Sequence, residues 1–279
     1  MLSLLGYEFF RNALLAGVLA SVACGIIGTF VVIRRMVAIS GGISHAAFGG
    51  IGLGYYLGIE PLLGALGFTV GAALTMGELE QRAEQNMDTL IGAVWATGMA
   101  LGILFIYVTP GFAPDLFGYL FGNILLVPQG DLVLMLVLVV IIVITVSILF
   151  NDLVAVTFDQ EYATVTNLPA ERLLLVLLVL IALTVVMLIQ VVGIILVIAL
   201  LTLPAAISRE CTARVKTMMI FAVLLGCAFT TAGIFLSAFL NIPSGATIIL
   251  VSAAAYGGVI VKKRLARRYL NPVTTVPDR

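Results

Sequence analysis

The chain has 279 residues, of which 62% are hydrophobic and only 10% charged, and its 14 basic residues balance 14 acidic ones. Soluble domains are about half apolar and about a quarter charged, so this composition excludes an ordinary soluble domain and indicates a protein that crosses a membrane many times. The zero net charge gives no indication of a nucleic-acid partner.

Apolar runs separated by charges and prolines predict nine membrane-spanning helices in one all-α, polytopic bundle. The N-terminal region lacks the pattern of a removable signal peptide, so the first span is expected to remain. The apolar segment 111–127 is interrupted by Pro114 and Asp115 and is predicted to be interfacial or re-entrant. The third and seventh spans are short for a crossing. The predicted spans are 12–33, 38–58, 61–76, 90–109, 130–150, 173–191, 193–207, 217–240 and 245–261.

The basic residues predict how the bundle is oriented. They lie in the loops after the first, third and seventh spans, at the start of the sixth, and after the ninth. The positive-inside rule places these loops in the cytoplasm, which puts the N-terminus outside and the C-terminus inside. The chain then divides into a transmembrane domain, 1–261, and a basic cytoplasmic tail, 262–279.

One predicted cytoplasmic loop, 151–172, is too long and too polar to be a simple connector. Within it, 159–166 is predicted to form a short helix that stops at Asn167, because Asn tolerates the left-handed conformation of many helix ends. Pro169 then prevents the helix from continuing. A short amphipathic helix here is suited to docking a soluble partner; a solvated loop is the alternative.

Glycines recur at four-residue spacing in the second, third and fourth spans. In a bilayer, small residues at this spacing let helix backbones approach closely, so tight packing is their expected role. The sets are Gly50, Gly54 and Gly58; Gly67 and Gly71; and Gly98 and Gly102.

His45 is the only histidine and lies in the apolar stretch SGGISHAAFGG. An imidazole is costly to bury without a partner, so it either makes a structural hydrogen bond or binds a ligand. No charged residue falls in the middle of a predicted span, which disfavours an ion-coupled secondary transporter. The sequence also has no GxxxxGK[ST] phosphate loop, and its cysteines, Cys24, Cys211 and Cys227, form no close pair that would predict a disulfide.

Five stretches, in order, resemble the permeases of ABC-type transporters for zinc, manganese or iron. NALLAGVLASVACGIIGTFVVIRRM (12–36) and ISGGISHAAFGGIGLG (39–54) resemble the first two spans of that family. FDQEYATVTNLP (158–169) is similar to its coupling region, and IALLTLPAAIS (198–208) and NIPSGATIILVSAAAYG (241–257) resemble its last spans.

The resemblance implies a transport subunit rather than an enzyme. Two copies would pair around a central path, an ABC ATPase dimer would bind the cytoplasmic face and hydrolyse ATP, and an extracytoplasmic solute-binding protein would deliver the metal. Such a permease lies in the cytoplasmic (inner) membrane of a prokaryote. The residues at matching positions of the ATPase-coupling region are Phe158, Asp159, Glu161, Ala163, Asn167 and Pro169.

In many members of this family an Asp lies four residues before the motif histidine, and the two form a metal site in the path. Here that position is Gly41. The resemblance therefore assigns His45 to the metal path and leaves its second ligand open. Cys24 and Cys227 lie at similar predicted depth, and a site with nitrogen and sulfur ligands would favour zinc over manganese. The metal, Zn, Mn or Fe, is expected as transported substrate, and no resident cofactor is expected.

Two other functions stay open from the sequence. The chain could serve the same machinery for a bulkier cargo, such as a metal chelate or cobalamin, or it could be a stand-alone secondary transporter or channel. A stable complex with an ATPase subunit would exclude the stand-alone class.

Overall fold

The structure, a computed structural model, describes residues 6–82, 87–110 and 122–270. These residues form eleven α-helices and one turn of 3₁₀-helix, Ile124–Leu126. The helices are α1 (Glu8–Arg34), α2 (Val37–Leu57), α3 (Pro61–Arg82), α4 (Met87–Val108), α5 (Gln129–Ile148), α6 (Phe150–Phe158), α7 (Gln160–Val165), α8 (Ala170–Val192), α9 (Ile194–Cys211), α10 (Val215–Leu240) and α11 (Ser244–Leu270).

Nine helices of the described chain are long and apolar enough to cross a membrane, which confirms the predicted number and the all-α class. The third and seventh spans are longer than predicted, because α3 has 22 residues and α9 has 18. The last helix continues past the predicted domain boundary at 261 to Leu270. The greater part of the proposed re-entrant segment, 111–121, and the tail after Leu270 lie outside the described residues.

The loop predicted for 151–172 contains two helices instead of one. The chain bends after Leu149 and forms α6 before the expected short helix, α7. Sequence reasoning missed α6 because Asn151 and Asp152 interrupt the apolar run, although Leu153 and Val156 are buried on one of its faces. The polar loop is therefore largely helical.

Left-handed residues end several helices, as short connections require. Arg35 (φ 62°), Gly58 (φ 67°) and Asn241 (φ 56°) follow α1, α2 and α10. Gly193 (φ 77°) alone connects α8 to α9. The chain thus connects these consecutive spans through only one to three residues.

The core is built around α1, α2 and α8, which bury most of their residues. On one side α3 and α4 pack against α2; on the other, α5, α9 and α10 pack against α1. The outer helices α3, α4, α5, α10 and α11 bury less than half of theirs, as expected for helices that face lipid or another subunit. The helix that carries His45 is therefore central.

Glycine packing explains why α2 is so deeply buried. A Cβ on Gly98 of α4 would lie 2.6 Å from the Cα of Ala46, and one on Gly54 would lie 2.8 Å from the Cα of Pro61 in α3. Gly50 and Gly102 make similarly close backbone approaches, so the expected packing role is confirmed for these four. Gly67 and Gly71 make no such approach within the described residues, where neither has a neighbour within 4 Å, and Gly58 instead ends a helix.

Candidate functional site

The imidazole of His45 lies near the middle of α2 and stacks on the indole of Trp95 in α4. Their ring centroids are 4.0 Å apart and the ring planes differ by only 9°. The Trp95 Nε1–H donates to the sulfur of Met99, one turn further along α4, over 3.3 Å. The only histidine of the chain thus lies against its only tryptophan.

The close α2–α4 contact positions this stack. Gly98 lets the α4 backbone reach Ala46, the residue directly after the histidine, and Gly49 approaches the carbonyl oxygen of Gly98, where a Cβ would lie only 2.9 Å away. Because these backbones touch beside both rings, the two ring planes are held together. Trp95 is 40% exposed, so the pair lies at the surface of this chain rather than in its core.

One ring nitrogen of His45 has no partner. Its Nδ1 is buried, and no hydrogen bond to it is found in the described part of the chain. The neighbouring Ser44 hydroxyl instead donates to the carbonyl of Ser40 over 2.8 Å. A neutral imidazole has one nitrogen that donates and one with a free lone pair, so His45 retains a nitrogen that can bind a cation.

The glycines around His45 differ in the space they leave. A Cβ on Gly42 would lie 3.0 Å from both Ile91 and Met76, so this glycine serves packing. A Cβ on Gly41 would meet only the Cδ1 of Ile198, at an ordinary 3.8 Å. Gly41, one helical turn before His45, therefore has room for a Cβ.

The two cysteines proposed as partners of His45 lie on other helices. Cys24 is fully buried in α1, and Cys227 is half-buried on α10, a helix that packs against α1. Within the described residues, no group of three or more His, Cys, Asp or Glu side chains is arranged to hold a metal. The metal roles of His45, Cys24 and Cys227 stay predictions.

Trp95 is the residue of this site that sequence reasoning missed. Its apolar surroundings in the fourth span gave no sign of a ligand role, although being the only tryptophan was a signal. Depth along a span can be counted from the sequence, as it was for Cys24 and Cys227. The rotation of α4 that brings Trp95 onto the imidazole comes only from the packing.

The predicted coupling segment has the geometry expected from sequence. Asp159 caps α7, since its side chain accepts from the Tyr162 backbone N–H over 2.9 Å. Asn167 has φ 61° and ends the turn after α7, and Pro169 directly precedes α8. The predicted helix at 159–166, its stop at Asn167 and the block at Pro169 are confirmed within about one residue.

The α6–α7 segment presents apolar side chains outward. Phe158, Tyr162 and Val165 are 63%, 61% and 81% exposed. Ala163 is fully buried and anchors the inner face of α7, and Glu161 is exposed. An exposed apolar surface beside charged residues is typical of an interaction site.

Arg34, at the end of α1, holds this segment in place. Its guanidinium donates to the carbonyl of Val156 over 2.7 Å and to the Oε1 of Gln160 over 2.8 Å. It also pairs with Glu80 near the end of α3 at 3.7 Å. One half-buried side chain therefore joins the ends of α1 and α3 to the junction of α6 and α7.

Several known proteins are similar to this chain in sequence over nearly its whole length. Residues 6–263 match the ABC 3 transport family. An uncharacterized membrane protein of Synechocystis is 51% identical over 92% of this chain and 91% of its own. The manganese transport system membrane protein MntC of Halalkalibacterium halodurans is 33% identical, over 91% of this chain and 87% of its own.

A solved structure shows the same fold. The structure of PsaBC from Streptococcus pneumoniae in complex with Fab superposes with a TM-score of 0.83 at 30% sequence identity, covering 92% of both chains. The nine spans, the central α2 and the segment at α6–α7 thus lie within a known membrane-transport architecture. The chain belongs to the ABC 3 transport family.

Proposed function

We propose that this chain is the membrane-spanning permease of an ATP-driven importer for divalent metal ions, with manganese as its principal substrate. The observation that carries the proposal is the likeness over nearly the whole chain to a relative named as a manganese transport membrane protein. ATP is hydrolysed on a separate subunit, and an extracytoplasmic binding protein supplies the ion. Two copies of the permease enclose the path.

The geometry at His45 supports a metal path. A neutral imidazole keeps one ring nitrogen with a free lone pair, so His45 can serve as a ligand for a divalent ion, and imidazole binds manganese, iron and zinc. A single imidazole binds weakly, which suits a site that an ion must leave as well as enter. The half-exposed Trp95 places this pair at a surface that the second permease copy can complete.

The α6–α7 segment supports coupling to an ATPase. Phe158, Tyr162 and Val165 form an apolar docking surface, and Arg34 ties it to α1 and α3. In this mechanism, nucleotide-driven movement of the ATPase subunits displaces α7. The displaced helix tilts the spans, so that His45 opens first to the outside and then to the cytoplasm.

The proposal is tested by reconstituting the permease with its ATPase and binding protein in vesicles and measuring uptake of Mn, Zn and Fe. We expect ATP-dependent uptake with manganese preferred. Val165→Asp, which places a charge on the docking surface, should abolish ATPase binding, whereas Asp88→Asn, an exposed change at the start of α4, should not. Hydrolysis that none of the three metals stimulates would exclude this function.

A further inference from the structure

A cavity of about 520 Å³ lies between α1, α5 and α10, within the range of about 300–1,000 Å³ typical of small-ligand sites. Its walls are apolar except for Lys216 and Ser147, and none of the described residues that line it is acidic. Two wall residues, Ile220 and Leu224, are 61% and 59% exposed. The cavity therefore opens sideways, toward the surroundings of the bundle.

The cavity has a polar end and an apolar end. Lys216 lies two positions into α10 and Ser147 near the end of α5. Arg209, near the end of α9, donates to the carbonyl of Val32 over 3.1 Å, which places the α9–α10 turn at the same end of the bundle as Arg34. From Lys216 to Leu224 is about 12 Å at 1.5 Å per residue, close to half of the roughly 30 Å hydrocarbon thickness. The groove thus has the depth of one membrane leaflet.

A cation is fixed at the polar end. The Nζ of Lys216 lies 5.0 Å above the centre of the Phe150 ring, and such a contact holds an ammonium group in place without using its N–H donors. The exposed Arg214 directly precedes α10 and adds a second positive charge. The first-turn amides of this 26-residue helix also favour a negative group here.

We propose that this groove, lined by α1, α5 and α10, binds one anionic phospholipid. Its acyl chain lies along Val143, Val223 and Leu224, and its phosphate accepts from Lys216 and Ser147. Charge selects this occupant: an apolar helix of another subunit would bury Lys216 without a counter-ion, which is costly. Helix α1 forms one wall of the groove, whereas α4, which carries Trp95, packs against α2 at the other side of the bundle. Lipid can therefore bind while a second copy covers α4.

The test is native mass spectrometry of the full-length chain in detergent, with added phosphatidylglycerol or phosphatidylcholine as probe. We expect one retained phosphatidylglycerol in preference to phosphatidylcholine. Lys216→Ala should lower retention of phosphatidylglycerol about fivefold, the effect expected for one basic side chain at an anionic lipid. Ile220→Trp, which fills the groove and leaves the charge, should lower retention of both lipids.

Two controls establish that the lipid is held by this groove and by its acyl chain. Lys262→Ala removes an exposed lysine of α11 that does not line the groove, and it should leave retention unchanged. Glycerol phosphate in excess should not displace the lipid, because it lacks the acyl chain. Equal retention of the two lipids, equal loss in Lys262→Ala, or displacement by glycerol phosphate would each overturn the proposal, as would an unaffected Ile220→Trp.

Discussion

At the scale of single residues, the stacked rings of His45 and Trp95 are the feature on which the proposed metal path depends most directly. The stack leaves Nδ1 without a partner and fixes the plane of the imidazole. Gly41 leaves room one turn away, on the side of Ile198. In the proposed function, the orientation of the His45 imidazole and the lack of a carboxylate at Gly41 are therefore separate properties, and each can be changed alone.

Replacing Trp95 tests the orientation. A stacked pair contributes about 0.5–1.5 kcal/mol beyond its buried area, so Trp95→Ala should raise the KM for manganese uptake about two- to tenfold with little change in maximal rate. Trp95→Phe keeps a ring on the imidazole and should retain most of the affinity. His45→Ala should abolish uptake. If Trp95→Phe is as impaired as Trp95→Ala, ring stacking is not the property that matters.

Replacing Gly41 tests the missing ligand. Gly41→Asp adds a carboxylate one turn from His45, and carboxylate oxygen suits manganese. We expect a lower KM for manganese and a slower maximal rate, because an ion that is bound more tightly leaves more slowly. Gly41→Ala, whose Cβ makes only an ordinary contact, is the control and should behave like the parent. An unchanged KM in Gly41→Asp would show that this position does not face the path.

At the scale of helices, the close contact of α2 with α3 and α4 determines where the site lies. Gly52 and Gly102 bring two backbones together, and a Cβ on Gly52 would lie 2.8 Å from the Cα of Gly102. Gly71, by contrast, has no described neighbour within 4 Å. Gly52 and Gly71 should therefore respond in opposite ways when each is replaced.

These two glycines give a matched prediction. Gly52→Ala should destabilise the protein by about 1–3 kcal/mol, because a close-packed contact must separate. Gly71→Ala should be neutral or stabilising by up to about 1 kcal/mol, because alanine favours the helix. Thermal unfolding in detergent, followed by the fluorescence of Trp95, measures both, since this single tryptophan reports on the α2–α4 contact. Equal midpoints for the two variants would contradict the packing interpretation.

The same helices show what could be predicted from sequence. Hydropathy predicted all nine spans, because burial in a bilayer requires about 20 apolar residues whatever their neighbours are. Asn167 and Pro169 predicted the end of α7, because their backbone preferences are local. The stack on Trp95 and the lack of contacts at Gly71 could not be predicted, since they depend on how each helix is rotated against the next. Helix α6 could not be predicted for the same reason, because which of its faces is buried depends on how it packs.

At the scale of the whole molecule, the α6–α7 surface and the His45 site lie on different helices and need a connection. Arg34 supplies one: it bonds to Val156 and Gln160 on the docking side, and pairs with Glu80 on α3, a helix that packs directly against α2. The second carboxylate oxygen of Glu80 is buried without a hydrogen-bond partner in the described structure. Arg34 therefore connects the proposed ATPase-docking surface to the helices around the proposed metal path.

Arg34→Ala should uncouple hydrolysis from transport. The exposed docking side chains remain, so the ATPase should still bind and hydrolyse ATP. Manganese uptake per ATP hydrolysed should fall about tenfold or more, in line with the loss of one charge-assisted hydrogen bond of about 1.5–3 kcal/mol. Arg34→Lys should be intermediate, because an ammonium group keeps the pair with Glu80 but does not reproduce the fork that reaches both Val156 and Gln160.

Arg172→Ala is the control, since Arg172 is an exposed arginine at the start of α8. It should leave uptake per ATP unchanged. Measuring ATPase binding, hydrolysis and uptake on the same reconstituted vesicles separates the possible roles of Arg34. Loss of ATPase binding in Arg34→Ala would show that Arg34 is part of the docking surface. Unchanged manganese uptake per ATP would show that the contacts of Arg34 are structural only. A fall in manganese uptake per ATP hydrolysed, with hydrolysis itself retained, would show that movement of α7 reaches α3 through Arg34.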